Sequence, residues 1–305
     1  MRILISGSTG FLGKAIRAAL KADGHELLPL LRRQPEEADE PFVLWDPAAG
    51  QLNPAQLEGL DAVIHLAGEN IAARWWTAVQ KQRIRSSRVD ATRLLAETLA
   101  GLRQKPQSLL SASAIGFYGD RGDEILSEVS PPGRGFLAEV CQAWESATQP
   151  AQQAGIRVVH LRFGVVLWPS GGMLAKLLPV FRWALGGRLG SGRQWLSWVS
   201  LQDVIGAVRH LLSNPTLSGP FNITAPSPVT NAEWTVILSR VLRRPAIFHL
   251  PAWLLRLVLG EMADQLLLAS TRAIPYRLQD SGFSFQDGIL EPALQRMLRE
   301  YNIPT

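Results

Sequence analysis

Three glycines spaced three residues apart near the start of the chain constrain its fold more than any other feature. Gly7, Gly10 and Gly13 follow a short apolar run at residues 3–5 and precede an amphipathic run at residues 14–20. The apolar run predicts a buried strand and the amphipathic run a helix. A glycine turn between them lets the backbone approach a pyrophosphate, which the free amides at the helix start can bind. The pattern therefore predicts a nucleotide-binding strand–turn–helix unit.

The charge of the chain argues against nucleic acid as a partner. The 305 residues carry a formal net charge of +5, and the basic residues form no run longer than a pair. A phosphate-bearing small ligand accounts for an excess of this size. The hydrophobic fraction of 47% is enough for a large core and two lobes.

The cysteine content and the apolar runs indicate a protein of the cytoplasm. Cys141 is the single cysteine, so no intrachain disulfide can form and a reducing compartment is expected. Met1 leads directly into the first predicted strand, so we expect no signal peptide. The apolar runs are too short to span a bilayer. We therefore expect no membrane association and no metal, and the oligomeric state is left open.

The end of the second predicted strand indicates which dinucleotide binds. In this arrangement a residue about twenty positions past the glycines faces the adenine ribose, and a carboxylate there favours NAD. Arg32 and Arg33 stand at this place. A guanidinium can pair with a 2′-phosphate through two parallel hydrogen bonds. The cofactor is therefore predicted to be NADP(H).

The next two predicted strands end in residues that suit a cofactor site. Residues 42–46 end in Asp46, which either accepts a hydrogen bond from the adenine amino group or caps the following turn. Residues 61–67 are followed by Gly68, and the small Ala67 and Gly68 let the backbone lie against the cofactor. His65, inside this apolar strand, is predicted to be a core residue with its hydrogen bonds satisfied.

Candidates for chemistry follow at the fifth predicted strand. Residues 75–102 predict one long helix or two, on which Arg83, Arg85 or Arg88 could face a cofactor phosphate or an acidic substrate. Residues 108–113 predict a strand, and ligands of open parallel sheets bind at the carboxyl ends of strands. Ser111, Ser113 and Tyr118 are therefore the candidates for chemistry.

These segments and others along the chain resemble the atypical and extended short-chain dehydrogenase/reductase superfamily. The similarity is greatest to its epimerase-like subgroup of sugar-nucleotide epimerases and NADP-dependent oxidoreductases. The matching stretches cover almost the whole chain, at residues 7–13, 65–70, 111–119, 136–145, 162–167, 190–192, 197–203 and 221–226.

The resemblance implies an α/β fold of the Rossmann type, a doubly wound parallel sheet with a smaller, mainly helical C-terminal substrate lobe. The NADP-binding core would comprise residues 1–168 and 197–230, and the substrate lobe 169–196 and 231–305. The substrate would be a small molecule, either a sugar nucleotide or a carbonyl compound. Residues implied to touch the cofactor are Gly7, Thr9, Gly10, Phe11, Leu12 and Gly13 at the pyrophosphate, Arg32 and Arg33 at the 2′-phosphate, Leu66 and Ala67 beneath the adenine, Arg88 on the lining helix, and Gly164 and Val165 near the nicotinamide.

One departure from the superfamily bears on the reaction. Its usual catalytic pair is a tyrosine with a lysine four residues later, and the lysine lowers the pKa of the tyrosine. The tyrosines of this chain are Tyr118, Tyr276 and Tyr301, and none has a lysine four positions on. Residues 136–141 stand where the pair is expected, in a register ambiguous by one residue. The matching serine is Ser113 or Ser111.

Two functions are therefore compatible with the sequence. One is an NADP(H)-dependent oxidoreductase or epimerase in which Ser113 orients a substrate oxygen, and Tyr118 either substitutes as the proton donor or forms a wall of the nicotinamide pocket. The other is a catalytically silent NADP(H)-binding sensor or assembly factor.

The C-terminal part of the chain is predicted mainly from helical patterns. Residues 186–194 are rich in glycine and are expected to form either a flexible lip or an irregular connection. Thr230 and Glu233 have the spacing of a capping box. Helices are predicted over 200–212, 251–276 and 290–301.

Overall fold

The computed structural model of the chain describes residues 1–35, 40–301 and 303. They group into two compact units. The first unit is Met1–Ala114, Val140–Arg162 and Ile205–Phe221, and the second is Ile115–Glu139, Phe163–Val204 and Asn222–Thr305. The division by function into a cofactor-binding core and a substrate lobe stays a prediction.

The strands and helices of the described residues are as follows. The strands are β1 (Arg2–Ser6), β2 (Glu26–Leu31), β3 (Val43–Asp46), β4 (Gln51–Leu52), β5 (Ala62–His65), β6 (Ser108–Ala114), β7 (Ile125–Leu126), β8 (Arg157–Phe163), β9 (Val165–Trp168), β10 (Gly187–Leu189), β11 (Trp195–Leu196), β12 (Trp198–Ser200), β13 (Gly219–Ile223), β14 (Val229–Thr230), β15 (Phe248–Leu250) and β16 (Arg272–Ala273). The α-helices are α1 (Phe11–Ala22), α2 (Ala78–Ala100), α3 (Phe136–Ser146), α4 (Gln149–Gln153), α5 (Gly172–Arg182), α6 (Leu201–Ser213), α7 (Asn231–Leu242), α8 (Ala252–Leu259), α9 (Tyr276–Asp280) and α10 (Leu290–Glu300).

An eight-stranded sheet forms the framework of the first unit, in the order β13-β8-β6-β5-β1-β2-β3-β4. β1 pairs in parallel with β2 and with β5, β2 with β3, and β5 with β6. A parallel sheet covered on both faces needs apolar residues in succession, and Ile3, Leu4 and Ile5 are fully buried. The carboxyl ends of these strands share one edge, which confirms the predicted Rossmann-type architecture.

The helix α2 covers one face of this sheet. It is a single helix, and the Thr77 hydroxyl caps it by accepting a hydrogen bond from the Gln80 amide. Leu95 and Leu99 of α2 are fully buried and belong to one core cluster with Leu4 and Val63 of the sheet. Burying a leucine side chain contributes roughly 1.5–3 kcal/mol, so this packing holds α2 firmly along the sheet.

The second unit is built mainly around helices. Residues of α5, α7 and α10 form one core cluster with two buried tryptophans, Trp198 and Trp234. The capping box at α7 is confirmed, because the Thr230 hydroxyl accepts from the Glu233 amide and the Glu233 carboxylate accepts from the Thr230 amide. In the part of the chain that the structure describes, no helix combines the length and the apolar character needed to cross a bilayer.

The predicted continuous helix over 251–276 is wrong. α8 ends at Leu259 because Gly260 adopts a positive φ of 56°. A π-helical turn at Ala263–Leu268 and the short strand β16 follow it. Hydrophobic periodicity continues across the glycine, so the pattern alone did not reveal the break.

The glycine-rich segment 186–194 is partly ordered as a strand. β10 pairs in parallel with β15 along Gly187–Leu189. A Cβ at Gly187 would lie 2.0 Å from the carbonyl oxygen of Phe248, so only glycine permits this approach. The glycines therefore serve close backbone packing here, at least at Gly187.

Candidate functional site

The glycine turn after β1 is packed too tightly for side chains. Gly7 has a positive φ of 66°, and a Cβ on it would lie 2.8 Å from the carbonyl carbon of Leu66. A Cβ on Gly13 would lie 2.1 Å from the Gly7 carbonyl oxygen. These contacts bring the start of α1 against the end of β1, as the glycine spacing predicts.

A cavity of about 1120 Å³ opens beside this turn, at the edge where the parallel strands end. Its volume is large even for a ligand pocket, for which about 300–1,000 Å³ is usual. Predicted site residues that line it are Gly7, Thr9, Gly10, Arg32, Asp46, Leu66, Ala67 and Gly68. Phe11, Leu12 and Gly13 form the first turn of α1.

Ser8 is a site residue that the sequence analysis did not include. It lines the cavity and is 1% exposed. Its hydroxyl oxygen has no hydrogen-bond partner among the described residues. A buried hydroxyl without a hydrogen-bond partner destabilises the folded protein. We therefore expect an atom of the ligand to form that hydrogen bond.

The start of α1 also lacks partners of its own. Gly10 occupies the N-cap position, and no side chain caps the helix there. The first amides of a helix point outward and carry its positive dipole end. This turn therefore suits an anion such as a phosphate.

The ends of β2 and β3 contribute one positive and one negative side chain. Arg32 and Arg33 are both exposed; Arg32 lines the cavity, whereas Arg33 lies outside the described lining. An oxygen of the Asp46 carboxylate accepts from the amides of Ala48 and Ala49 at 2.9 and 3.2 Å. Asp46 thus caps the turn after β3, and its predicted contact with adenine stays a prediction.

One face of α2 supplies further lining residues, and of these the sequence analysis had considered Arg83 but not the others. Ser86 and Ser87 lie three and four residues after Arg83, and Asp90 lies four and three residues after them, so all four share this face. Ser87 also accepts a hydrogen bond from the Glu69 amide at 3.0 Å, which holds the loop after β5. The small and polar residues at helical spacing were the signal that could have identified them. Trp45 of β3, also in the lining, gave no such signal.

His65 is confirmed as a satisfied core residue that shapes the cavity wall. Its Nδ1 lies 2.6 Å from the Ser6 hydroxyl, and its Nε2 lies 2.9 Å from the Thr92 hydroxyl. The Ser6 oxygen already accepts from the amides of Leu66 and Ala67. Ser6 must therefore donate to Nδ1, so the proton of the neutral ring resides on Nε2. The network holds the backbone at the floor of the cavity.

This network predicts a loss of stability in acid. Burial lowers the pKa of His65 from 6.5 to about 4. The unfolded chain takes up the proton from about pH 6.5 downward, whereas the folded protein resists it until about pH 4. Stability is therefore complete above pH 6.5 and falls toward pH 4, by about 3 kcal/mol from this residue. Urea unfolding of wild type and His65→Gln at pH 7 and pH 4 measures it, and an equal loss in both proteins would contradict the assignment.

Ser113 donates a hydrogen bond to a buried carboxylate. Its hydroxyl lies 2.7 Å from Glu145 Oε1. Arg162 binds both oxygens of the same carboxylate, with Nε to Oε1 and Nη2 to Oε2 at 2.8 Å each. Ser111 is also buried, and its hydroxyl lies 3.5 Å from the Ala112 carbonyl oxygen. Neither serine belongs to the described lining of the cavity.

Tyr118 and Cys141 are both buried. The Tyr118 hydroxyl donates to Asn222 Oδ1 at 2.7 Å, and the side chain has no exposed surface. Burial and the Glu145 charge raise the pKa of the Cys141 thiol to about 12, although Arg88 and Arg162 oppose this. Such a thiol is a poor nucleophile and serves as a small apolar core residue.

Gly164 and Val165 belong to the second unit. The Val165 amide donates to the Ser197 carbonyl at 2.9 Å, beside the pairing of β9 with β12. A Cβ at Gly164 would lie 2.6 Å from that carbonyl oxygen. Close packing therefore requires glycine at 164, and the predicted nicotinamide contact stays a prediction.

Comparison with known proteins assigns the chain to a family. The model of the NAD-dependent epimerase/dehydratase family matches residues 3–224. The chain belongs to this family. A model of a domain of unknown function matches residues 250–297.

Relatives in the epimerase/dehydratase family cover nearly the full chain. An epimerase family protein of Mycobacterium bovis is 44% identical over 96% of this chain and 96% of its own. The human epimerase family protein SDR39U1, solved with NADPH, is 31% identical, with a TM-score of 0.89 over 98% of this chain and 99% of its own. A nucleoside-diphosphate sugar epimerase of Corynebacterium glutamicum is 38% identical, with a TM-score of 0.81 over 98% of this chain and 58% of its own. These matches confirm the resemblance found in the sequence.

The residues at the glycine turn fit the dinucleotide of this family. The uncapped start of α1 offers amides for a diphosphate, and the unpartnered Ser8 hydroxyl lies beside it. Gly7 and Gly13 keep side chains out of the turn, so the backbone stays accessible to the ligand.

Proposed function

We propose that this protein binds NADP(H) in the cavity beside the glycine turn. The observation that carries the proposal is Arg32, which follows β2 and lines the cavity on one side of that turn. Arg32 has no hydrogen bond or ion pair with the other described residues, so its donors are available to a phosphate. The NADPH bound to human SDR39U1, 31% identical to this chain, supports the choice.

We propose distinct roles for the predicted cofactor residues around the glycine turn. Thr9, Gly10 and the first turn of α1 would hold the diphosphate through backbone amides. Arg32, with Arg33 beside it, would pair with the 2′-phosphate. Leu66 and Ala67 would form the wall beneath the adenosine, with Asp46 at its rim.

We further propose an oxidoreductase or sugar-nucleotide-epimerase-like reaction on a small molecule. A bound nicotinamide supplies hydride chemistry at a carbonyl or hydroxyl carbon. The protein's own contribution would be to hold the cofactor and to orient the substrate oxygen, for which Ser113 is the candidate. The chain lacks the usual tyrosine–lysine pair, so its reaction on simple carbonyl substrates should be slow.

The cofactor preference gives a direct test. The wild type is expected to bind NADPH at least about tenfold tighter than NADH, because charged hydrogen bonds to the 2′-phosphate contribute roughly 1.5–3 kcal/mol. Arg32→Gln should remove most of this preference without weakening NADH binding. Arg33→Gln is the matched neighbour and should remove less, because Arg33 lies outside the described lining of the cavity.

Isothermal titration calorimetry of the three proteins with both cofactors measures these effects. Equal affinity of the wild type for NADPH and NADH would overturn the preference. No binding of either cofactor would overturn the proposed site itself.

A further inference from the structure

Arg88 places a positive charge directly behind the wall of the cavity. It lies on α2, and its guanidinium carbon stacks 5.1 Å from the centroid of the Trp144 ring. A Cβ on Gly68 would lie 3.2 Å from that carbon and 3.4 Å from Nη2. Gly68 lines the cavity and has no side chain, so the guanidinium packs closely against this residue of the cavity wall.

Most hydrogen-bond donors of this guanidinium have no partner among the described residues. Nη1 donates to the Ile84 carbonyl at 3.2 Å. No ion pair forms between Arg88 and another described residue, although a guanidinium carries five N–H donors. Burial lowers the pKa of Arg88, and the nearby Glu69 carboxylate opposes this shift. A desolvated cation with spare donors is expected to gain from an oxygen-rich ligand.

The strand order assigns Arg88 to one half of a dinucleotide. β5, which Gly68 follows, lies on one side of β1 and its glycine turn. β2 and β3, which carry Arg32 and Asp46 at their ends, lie on the other side. A dinucleotide whose 2′-phosphate meets Arg32 and whose diphosphate rests on the turn therefore extends its nicotinamide half toward Gly68 and Arg88.

The same guanidinium packs against the helix on which the superfamily carries its lysine. Cys141 of α3 stands at or beside the position of that lysine, and Trp144 lies one turn later on α3. The stacking of Arg88 on Trp144 brings the guanidinium against the same helix as Cys141. The positive charge of Arg88 on α2 therefore lies near the place on α3 where the lysine is missing.

We propose that Arg88 takes the place of the missing lysine and contacts the nicotinamide half of the cofactor. The inference rests on the proposed binding of NADP(H). Arginine holds its charge at every physiological pH, so it can donate hydrogen bonds to ribose hydroxyls but cannot relay a proton. With an arginine in place of the lysine, the charged contact to the cofactor is kept, but the lysine's contribution to proton transfer is lost.

Two ligands distinguish this contact from a structural role. NADPH contains both halves of the cofactor, whereas adenosine 2′,5′-bisphosphate presents only the adenine half. Arg88→Gln is expected to weaken NADPH binding at least about tenfold, the effect of losing one charged hydrogen bond or more. Binding of the bisphosphate should stay within about twofold of wild type, a difference of less than 0.5 kcal/mol. Arg32→Gln should weaken both ligands, and Arg93→Gln, at an exposed position of α2, should weaken neither.

A lysine introduced on α3 tests whether a charge at the position of the missing lysine can replace that of Arg88. In the Arg88→Gln background, Cys141→Lys is expected to restore NADPH affinity at least about threefold, or roughly 0.6 kcal/mol. Circular dichroism and thermal melting establish that each variant is folded. If Arg88→Gln does not fold, Arg88→Lys replaces it, since its shorter side chain should still weaken NADPH alone.

Each result supports or overturns the inference. A wild type that binds neither ligand would refute the proposed function. A wild type that binds NADPH with the affinity of a folded Arg88→Gln variant would refute the role of Arg88. Equal weakening of both ligands would indicate a structural role, and a folded double variant without recovery would refute the replacement of the lysine.

Discussion

Glu145→Ala is expected to lower the free energy of unfolding by about 3–5 kcal/mol, the usual cost of removing one partner from a buried ion pair. The Arg162 and Glu145 side chains are only 4% and 11% exposed. The two parallel hydrogen bonds between them and the bond from Ser113 all end on this carboxylate. Its loss would leave a buried guanidinium without its counter-charge.

Two matched variants separate this effect from a generic loss of charge. Ser113→Ala removes one hydrogen bond to the same carboxylate and should cost about 1 kcal/mol. Asp23→Ala breaks the pair with Arg209, whose side chains are 32% and 45% exposed, and should cost less than about 1 kcal/mol. Chemical denaturation of the four proteins gives the comparison. A loss in Glu145→Ala no larger than that in Asp23→Ala would show that the buried pair does not stabilise the fold.

Turnover on simple ketones is expected to be at least about a hundredfold below that of a superfamily member with the tyrosine–lysine pair, since general acid catalysis contributes roughly 10²–10⁴-fold. The candidate proton donor, Tyr118, and the candidate orienting residue, Ser113, are both held by other groups. The Tyr118 hydroxyl donates to Asn222, whose own amide nitrogen donates to the Ile274 carbonyl at 2.9 Å. The Ser113 hydroxyl donates to Glu145. Binding of NADPH should be unaffected by this deficit.

Steady-state oxidation of NADPH with a ketone and sugar-nucleotide panel tests the expectation on wild type, Ser113→Ala and Tyr118→Phe. Calorimetry on the same proteins provides the cofactor affinity. A fast wild-type rate that falls sharply in Tyr118→Phe at unchanged affinity would identify Tyr118 as the acid and contradict the prediction. Normal affinity with no turnover on any substrate would favour the silent sensor or assembly factor.

Local patterns in the sequence were enough to predict the framework of the cofactor site. The glycine turn, the strand before it and the helix after it depend on residues within a few positions of one another. The position of Arg32 after β2 can be predicted from the length of one strand–helix–strand unit. Backbone conformation and hydrophobic periodicity are encoded locally, so the order of residues alone is sufficient to derive these elements.

Hydrophobic periodicity gave a wrong prediction where one glycine interrupted a periodic apolar run. The apolar positions of 251–276 continue through Gly260, but its left-handed backbone ends the helix there. A glycine within an amphipathic run is compatible with a continuing helix or with its end. Packing of the surrounding chain decided between the two.

Tertiary structure alone decided which groups the candidate catalytic residues contact. Ser113 reaches a carboxylate 32 positions away, and Tyr118 reaches an amide 104 positions away. Arg88 stacks on Trp144 and lies behind Gly68, residues distant from it in sequence. The sequence by itself determined that a serine and a tyrosine were available near the end of one strand and an arginine on a long helix. Their hydrogen-bond partners depend on how separate elements pack. A contact between residues far apart in the sequence produces no periodic pattern from which it could be predicted.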